Sequence, residues 1–156
     1  MKESPMPTIP VKIRPMNKNH IAACDDIVRT SEPWKTLRER VDFSAAIRSK
    51  QVYVALIEGA VAGFVIFTAG PVFARGGYLR ALGVAPAIRG LGIGRQLMKF
   101  AEKTAVKQSQ NFFLCVSSFN KPGQLFYKSL GYAKAGKLDN LIKQGVSELI
   151  YWKRLK

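Results

Sequence analysis

Only two cysteines and one histidine occur in the 156 residues. Cys24, Cys115 and His20 cannot fill the four ligand positions of a structural zinc site. Both cysteines lie in apolar surroundings, Cys24 in a predicted helix and Cys115 in a predicted strand, and read as buried reduced thiols. His20 reads as a surface or half-buried residue of the first helix, which counts against a Ser-His-Asp or Cys-His hydrolase. No apolar run approaches the ~20 residues that span a bilayer. The first ten residues hold three prolines and no apolar core, so they are not a secretory signal and read as a flexible tail. A cytoplasmic location without membrane attachment is the expectation that goes with this. Acidic residues are also scarce, ten against twenty-five basic ones, for a net charge of +15. Such a field attracts nucleic acid, ribosomes, acidic membranes or a polyphosphate cofactor. The basic residues are scattered, however, and no stacking-aromatic or recognition-helix pattern points to a specific nucleic-acid partner.

What is present is an ordinary globular composition, 47% hydrophobic and 22% charged, and a length that favours one domain, here 11–156. A short strand over 11–14 precedes a helix over 18–29, with Ile21, Cys24, Ile27 and Val28 at helical spacing. Pro33 breaks that helix. Thr36 with Glu39 forms a capping-box pattern, which predicts a second helix reaching about Lys50. Runs of β-branched and aromatic residues over 52–57 and 61–69 flank Glu58-Gly59-Ala60 and predict a hairpin. A loop over 71–77 and a strand over 78–84 follow, then a helix over 93–109 and a short apolar strand over 112–116. Asn120-Lys121-Pro122 starts a helix that Gly131 ends, and strands over 132–138 and 147–153 finish the chain. This order predicts an α/β fold of the α+β mixed type: a central, mostly antiparallel sheet of six to seven strands, with helices on both faces.

The most informative stretch is Leu82-Gly83-Val84-Ala85-Pro86-Ala87-Ile88-Arg89-Gly90-Leu91-Gly92-Ile93-Gly94-Arg95, a strand, a glycine-rich turn and a helix start. Glycines at a helix N-terminus leave backbone N–H groups open, and the helix dipole adds positive potential, so the turn is a seat for phosphate. Arg89 and Arg95 flank it as candidate charge-assisted donors. A nucleotide P-loop needs Lys-Ser or Lys-Thr after its last glycine, but Gly94 is followed by Arg95-Gln96. The dinucleotide fingerprint needs G-x-G-x-x-G, and Gly90, Gly92 and Gly94 have the wrong spacing.

Arg89-Gly90-Leu91-Gly92-Ile93-Gly94 resembles the R/Q-x-x-G-x-G/A motif of the GNAT acetyltransferases, and the element order from Val11 onward is similar to that family's. Asn120, Phe126-Tyr127 and Gly131-Tyr132 resemble its second signature. The resemblance implies acetyl-CoA as co-substrate. Its pyrophosphate would lie on the amides between Arg89 and Arg95, and its pantetheine arm along Leu82, Gly83 and Val84. A splayed gap between that strand and the next would admit it. Asn120 would bond the pantetheine arm, and Tyr127 would protonate the departing CoA thiolate. Gln124 stands where the family usually has a small residue.

The resemblance also exposes a gap. Family members often carry a glutamate base in the strand before the turn, but here Arg80 stands there, and no acidic residue lies between Glu58 and Glu102. Glu32 and Glu148 are the candidate bases. The acceptor site would lie between the loop at 31–35 and the hairpin at 138–146. Pro33-Trp34 looks like the corresponding loop of protein N-terminal acetyltransferases, whereas Leu141 and Ile142 replace the tyrosines that subgroup tends to carry. Arg80 would favour an acceptor bearing a carboxylate or phosphate. The expected activity is acetyl transfer to a primary amine of a small molecule or a protein N-terminus, by direct attack on the thioester. The alternative is a GNAT-fold protein that binds acetyl-CoA without catalysis. A homodimer is left open.

Overall fold

A computed structural model describes residues 8–156. Seven strands form one sheet in the order β1-β2-β3-β4-β5-β7-β6. They are β1 (Lys12–Pro15), β2 (Val52–Ile57), β3 (Ala60–Phe73), β4 (Gly76–Val84), β5 (Asn111–Ser117), β6 (Ala133–Asp139) and β7 (Ser147–Arg154). Every neighbouring pair is antiparallel except β4 with β5. The helices are α1 (Ile21–Arg29), α2 (Trp34–Leu37), α3 (Phe43–Arg48), α4 (Ile93–Ala105) and α5 (Lys121–Ser129). The mixed sheet with helices on both faces is the architecture expected from the element order. No helix among the described residues is long and apolar enough to cross a membrane.

The two cores follow from the period-2 alternation of the strands. On one face Val65, Phe67, Leu79, Phe112, Leu114, Leu149 and Tyr151 meet Ile93, Leu97, Met98 and Ala101 of α4. On the other, Val52, Val54, Phe64, Ile66 and Ala81 meet Cys24, Ile27 and Val28 of α1 and Phe43 and Ala46 of α3. Gly83 is where the second layer closes on the sheet. A Cβ there would stand 2.5 Å from the Phe64 ring and 3.0 Å from Ile27 Cγ2.

Three expectations are corrected. The predicted helix from Thr36 to Lys50 is two short helices. Arg38, in the left-handed region at φ 54°, ends α2, and Asp42 starts α3 by accepting from the Ala45 N–H at 3.0 Å. A true N-cap at Asp42 therefore prevails over the capping-box pattern at Thr36. The predicted loop over 71–77 is nearly all strand. Only Ala74 and Arg75, both at positive φ, turn the chain. Gly76 and Gly77 resemble loop glycines in sequence, but strand neighbours occupy their Cβ positions. The Phe113 ring lies 2.6 Å from a Cβ at Gly76, and the Thr68 carbonyl oxygen 2.6 Å from one at Gly77. The helix expected to reach Ser109 ends at Ala105. Of the tail expected at 1–10, the first seven residues lie outside the described ones. Ile9 is tied to the folded domain, its N–H donating to the Leu91 carbonyl at 3.0 Å.

Candidate active site

The site begins with an irregularity in β4. Ile66 pairs with Ala81 and Phe67 with Leu79, so Arg80 is an extra residue opposite no partner, a β-bulge. The parallel ladder from β4 to β5 stops at the same place, with Leu79 opposite Leu114. Beyond it β5 continues to Ser117 against β7, and 80–84 continues against β3. The two strands therefore part after Leu79. The edge of β4 carrying Leu82, Gly83 and Val84 has no ladder partner on that side.

A cavity of about 950 Å³ occupies this opening, at the large end of what small-molecule sites use. The glycine-rich turn and Leu82 to Val84 form one wall, Asn120 and Tyr127 another, and Glu32 and Glu148 belong to the lining as well. The fold thus brings both candidate bases and every expected cofactor residue except Leu91 to a single cavity.

The turn has the geometry of an open helix end. Gly90 and Gly92 take φ of 79° and 80°, a region that disfavours side chains. No side chain among the described residues caps α4, and its first backbone bond runs from the Gln96 N–H to the Gly92 carbonyl at 3.1 Å. The amides of Ile93, Gly94 and Arg95 therefore lack intrahelical acceptors. The two flanking arginines are engaged inside the chain. Arg89 Nη2 donates to Ser31 Oγ at 2.7 Å, and Arg95 Nη2 donates to Ser129 Oγ at 3.0 Å. Arg89 thus links the turn to the loop after α1, opposite it across the cavity.

α5 supplies the second wall. Asn120 caps this helix, its Oδ1 accepting from the Gly123 N–H at 3.1 Å. Gln124 is buried, and its Nε2 donates to the carbonyls of Ser117 and Ser118 at 3.3 and 3.0 Å. The residue that departs from the family pattern thus fastens α5 to the end of β5. Tyr127 is half-buried. Its ring lies 5.1 Å from Phe126 and 5.9 Å from Tyr132, centroid to centroid, and its hydroxyl bonds to no group among the described residues. Burial pushes its pKa up from the ordinary phenol value, so it stays protonated at neutral pH.

Across the sheet, residues of alternating parity face the opposite way from the α4 core. Tyr78, Cys115, Ser117 and Glu148 stand there. Ser117 is opposite Glu148 in the β5–β7 ladder, and its hydroxyl donates to Glu148 Oε2 at 2.7 Å. Glu148 is only 4% exposed. Burial raises its pKa, and the nearby Glu39 carboxylate adds to this, against the lowering by the Ser117 hydroxyl. Glu32, by contrast, is exposed on its loop and forms no ion pair among the described residues. Burial also raises the Tyr78 phenol and the Cys115 thiol, so both are neutral. Trp34, 5.8 Å from Phe64, anchors the loop after α1 to the sheet. Leu141 and Ile142 close the far side, 57% and 47% exposed.

Tyr78 and Glu39 line the cavity without having been singled out in the sequence, and the buried Ser117, which holds Glu148, was not singled out either. The period-2 alternation of 112–117 would have put Cys115 and Ser117 on the face away from the core. Cys24 is buried as expected, but Cys115 is half-buried on the cavity wall.

Comparison with known proteins agrees with this geometry. The sequence model of the Acetyltransferase (GNAT) family matches residues 20–132. The chain is similar to the crystal structure of Ard1 from Thermoplasma volcanium, at TM-score 0.81 and 20% identity, covering 95% of this chain and 99% of that one. It is similar to Arabidopsis thaliana Naa50 in complex with the bisubstrate analogue CoA-Ac-MVNAL, at TM-score 0.75 and 18% identity, covering 94% and 100%. It also resembles ribosomal-protein-alanine N-acetyltransferase from Brucella melitensis, at TM-score 0.72 and 21% identity, covering 92% and 99%.

Proposed function

The chain belongs to the Acetyltransferase (GNAT) family, and from that premise we propose that it moves an acetyl group from acetyl-CoA to a primary amine of a small molecule or a protein N-terminus. The observation that carries this reading is the parting of β4 and β5 under the uncapped start of α4, with Tyr127 on the wall of the same cavity. The donor set fits the co-substrate. Open amides at a helix N-terminus suit a pyrophosphate. A free strand edge at Leu82, Gly83 and Val84 suits the amide-bearing pantetheine arm. Asn120, although it caps α5, keeps its amide nitrogen for the same arm.

Each chemical role goes to a group whose protonation matches it. Glu148 takes the proton of the attacking amine, directly or through one water, because its carboxyl has a raised pKa and so a stronger pull on a proton than an exposed carboxylate. Ser117 holds one carboxylate oxygen and leaves the other for that task. Tyr127 gives its proton to the departing CoA thiolate. Glu32, exposed on its loop, is the secondary candidate for the base. The reading needs no glutamate at position 80, because the base comes from β7 across the gap.

Arg80 then has another use. No ion pair or hydrogen bond engages its guanidinium among the described residues, and it lines the cavity at the bulge. An acceptor with a carboxylate or phosphate a few bonds from its amine would meet Arg80 while its amine faces Glu148. The experiment is an acceptor screen that reads CoA release and acetylated product, using amines in matched pairs with and without an anionic group, and short peptides. The anionic member of each pair is expected to react about 10-fold faster in kcat/KM, an ordinary worth for one charge-assisted contact, and Arg80→Met should erase the difference. Equal rates would remove Arg80 from acceptor selection. No acetylated product from any amine would favour a second reading, acetyl-CoA binding without catalysis, which Arg80 in place of the usual glutamate suggests.

A further inference from the structure

The phosphate seat has a neighbour that belongs to neither family motif. Residues 8–11 run across the turn before entering β1. The Ile9 N–H donates to the Leu91 carbonyl at 3.0 Å, and the Ile9 carbonyl accepts from Gln96 Nε2 at 2.7 Å. The Val11 N–H donates to Gln96 Oε1 at 3.1 Å. Pro10, between them, has no N–H to satisfy, so the amides of residues 9–11 are all accounted for. Gln96 Nε2 also reaches the Gly92 carbonyl at 3.2 Å. One half-buried amide side chain on the first turn of α4 therefore binds the crossing segment on both sides of Pro10, and ties it to the glycine that starts the helix.

Thr8 is the residue this arrangement delivers to the site. Its side chain lies against Gly92, where a Cβ would stand 3.0 Å from Thr8 Cγ2 and 3.2 Å from its Oγ1. It lines the cavity, and its hydroxyl has no hydrogen-bond partner among the described residues. A free hydroxyl beside open helix amides is a further donor for an anion held there.

We propose that segment 8–11 is part of the cofactor site, with Thr8 Oγ1 donating to the pyrophosphate seated on α4 and Gln96 acting as the positioning residue that holds the segment in place. This rests on the acetyl-CoA reading above. It adds a contact from a part of the chain outside both sequence motifs, and assigns Gln96 a task distinct from core packing.

The test compares two acetyl donors on the same protein. Acetyl-CoA carries the pyrophosphate, and S-acetylpantetheine has the same thioester and arm without it. Thr8→Val and Gln96→Ala are each expected to raise the Kd for acetyl-CoA, read by calorimetry, by about 5- to 10-fold, in line with the loss of one charge-assisted hydrogen bond. Both should leave the KM for S-acetylpantetheine within about 2-fold of the parent. An unchanged acetyl-CoA Kd in Thr8→Val would overturn the hydroxyl contact, even if Gln96→Ala failed to fold. Equal weakening of both donors would overturn the proposal too, since it would mark general damage to the fold. A parent chain that binds no acetyl-CoA gives a flat titration before any variant is made. That result contradicts the acetyl-transfer reading and the proposal with it, whereas a binding parent with unaffected variants contradicts the proposal alone.

Discussion

Glu148→Gln is expected to lower kcat/KM for amine acetylation by about 10²- to 10⁴-fold, the usual weight of a general base. Glutamine has the shape of glutamate and can still accept the Ser117 hydroxyl, which now meets Glu148 Oε2 at 2.7 Å. The substitution therefore removes the proton acceptor and little else. The pH profile gives a second readout. The Glu148 pKa is raised, chiefly by burial and further by Glu39. The base works only when ionised, so the parent's activity should rise with pH through a limb above the ordinary carboxylate range of about 4.3. Glu148→Gln should lose that limb. Stability supplies the control. A carboxyl with a raised pKa in the folded state favours folding when protonated at low pH, and that contribution is lost as pH rises through the folded pKa. At neutral pH the ionised Glu148 therefore opposes folding, and the variant should melt no lower than the parent. Full activity in Glu148→Gln would move the base to Glu32 or to solvent, and Glu32→Gln would then be the substitution to measure.

Tyr127→Phe is expected to cost roughly 10- to 1000-fold in kcat, scaled to the weight of acid catalysis, with a smaller change in the Kd for acetyl-CoA. The phenylalanine keeps the ring packing against Phe126 and Tyr132, at 5.1 and 5.9 Å between centroids. It deletes a hydroxyl that no described residue binds, so no internal hydrogen bond is broken and the fold should be unaffected. Because burial raises its pKa above the ordinary phenol value of about 10, Tyr127 should produce no alkaline limb below that pH. A loss of turnover in Tyr127→Phe without weaker donor binding identifies proton delivery to the thiolate. Unchanged turnover would leave the tyrosine as a packing residue.

The glycine-rich turn and the α5 wall of the candidate site were legible because they are written in local sequence. The glycines from Gly90 to Gly94 and the step from Asn120 to Tyr127 each lie within one strand–turn–helix or helix unit, where spacing fixes geometry. The acceptor half was not, because it is assembled across the sheet. Glu148 is one of two candidate bases in the sequence, and only the pairing of β7 with β5, which puts Ser117 opposite it, sets it apart from Glu32. The bulge at Arg80 depends on the register between β3 and β4, and one sequence does not encode register locally. The hairpin glycines failed for a related reason. Gly76 and Gly77 exist to admit Phe113 and a neighbouring backbone, contacts far along the chain. Ile9 and Gln96 were invisible as partners for the same cause, being 87 positions apart and joined only through the fold.

The claim on which everything rests is that CoA enters the gap between β4 and β5, with its phosphates on α4 and its sulfur beside Tyr127. A crystal structure of the chain with CoA bound measures this directly. The account predicts the pyrophosphate against the amides of Ile93, Gly94 and Arg95, and the thiol sulfur within about 3.5 Å of Tyr127 Oη, a hydrogen-bonding distance for sulfur. A CoA molecule lying elsewhere, or one whose sulfur points away from Tyr127 and Glu148, would contradict it.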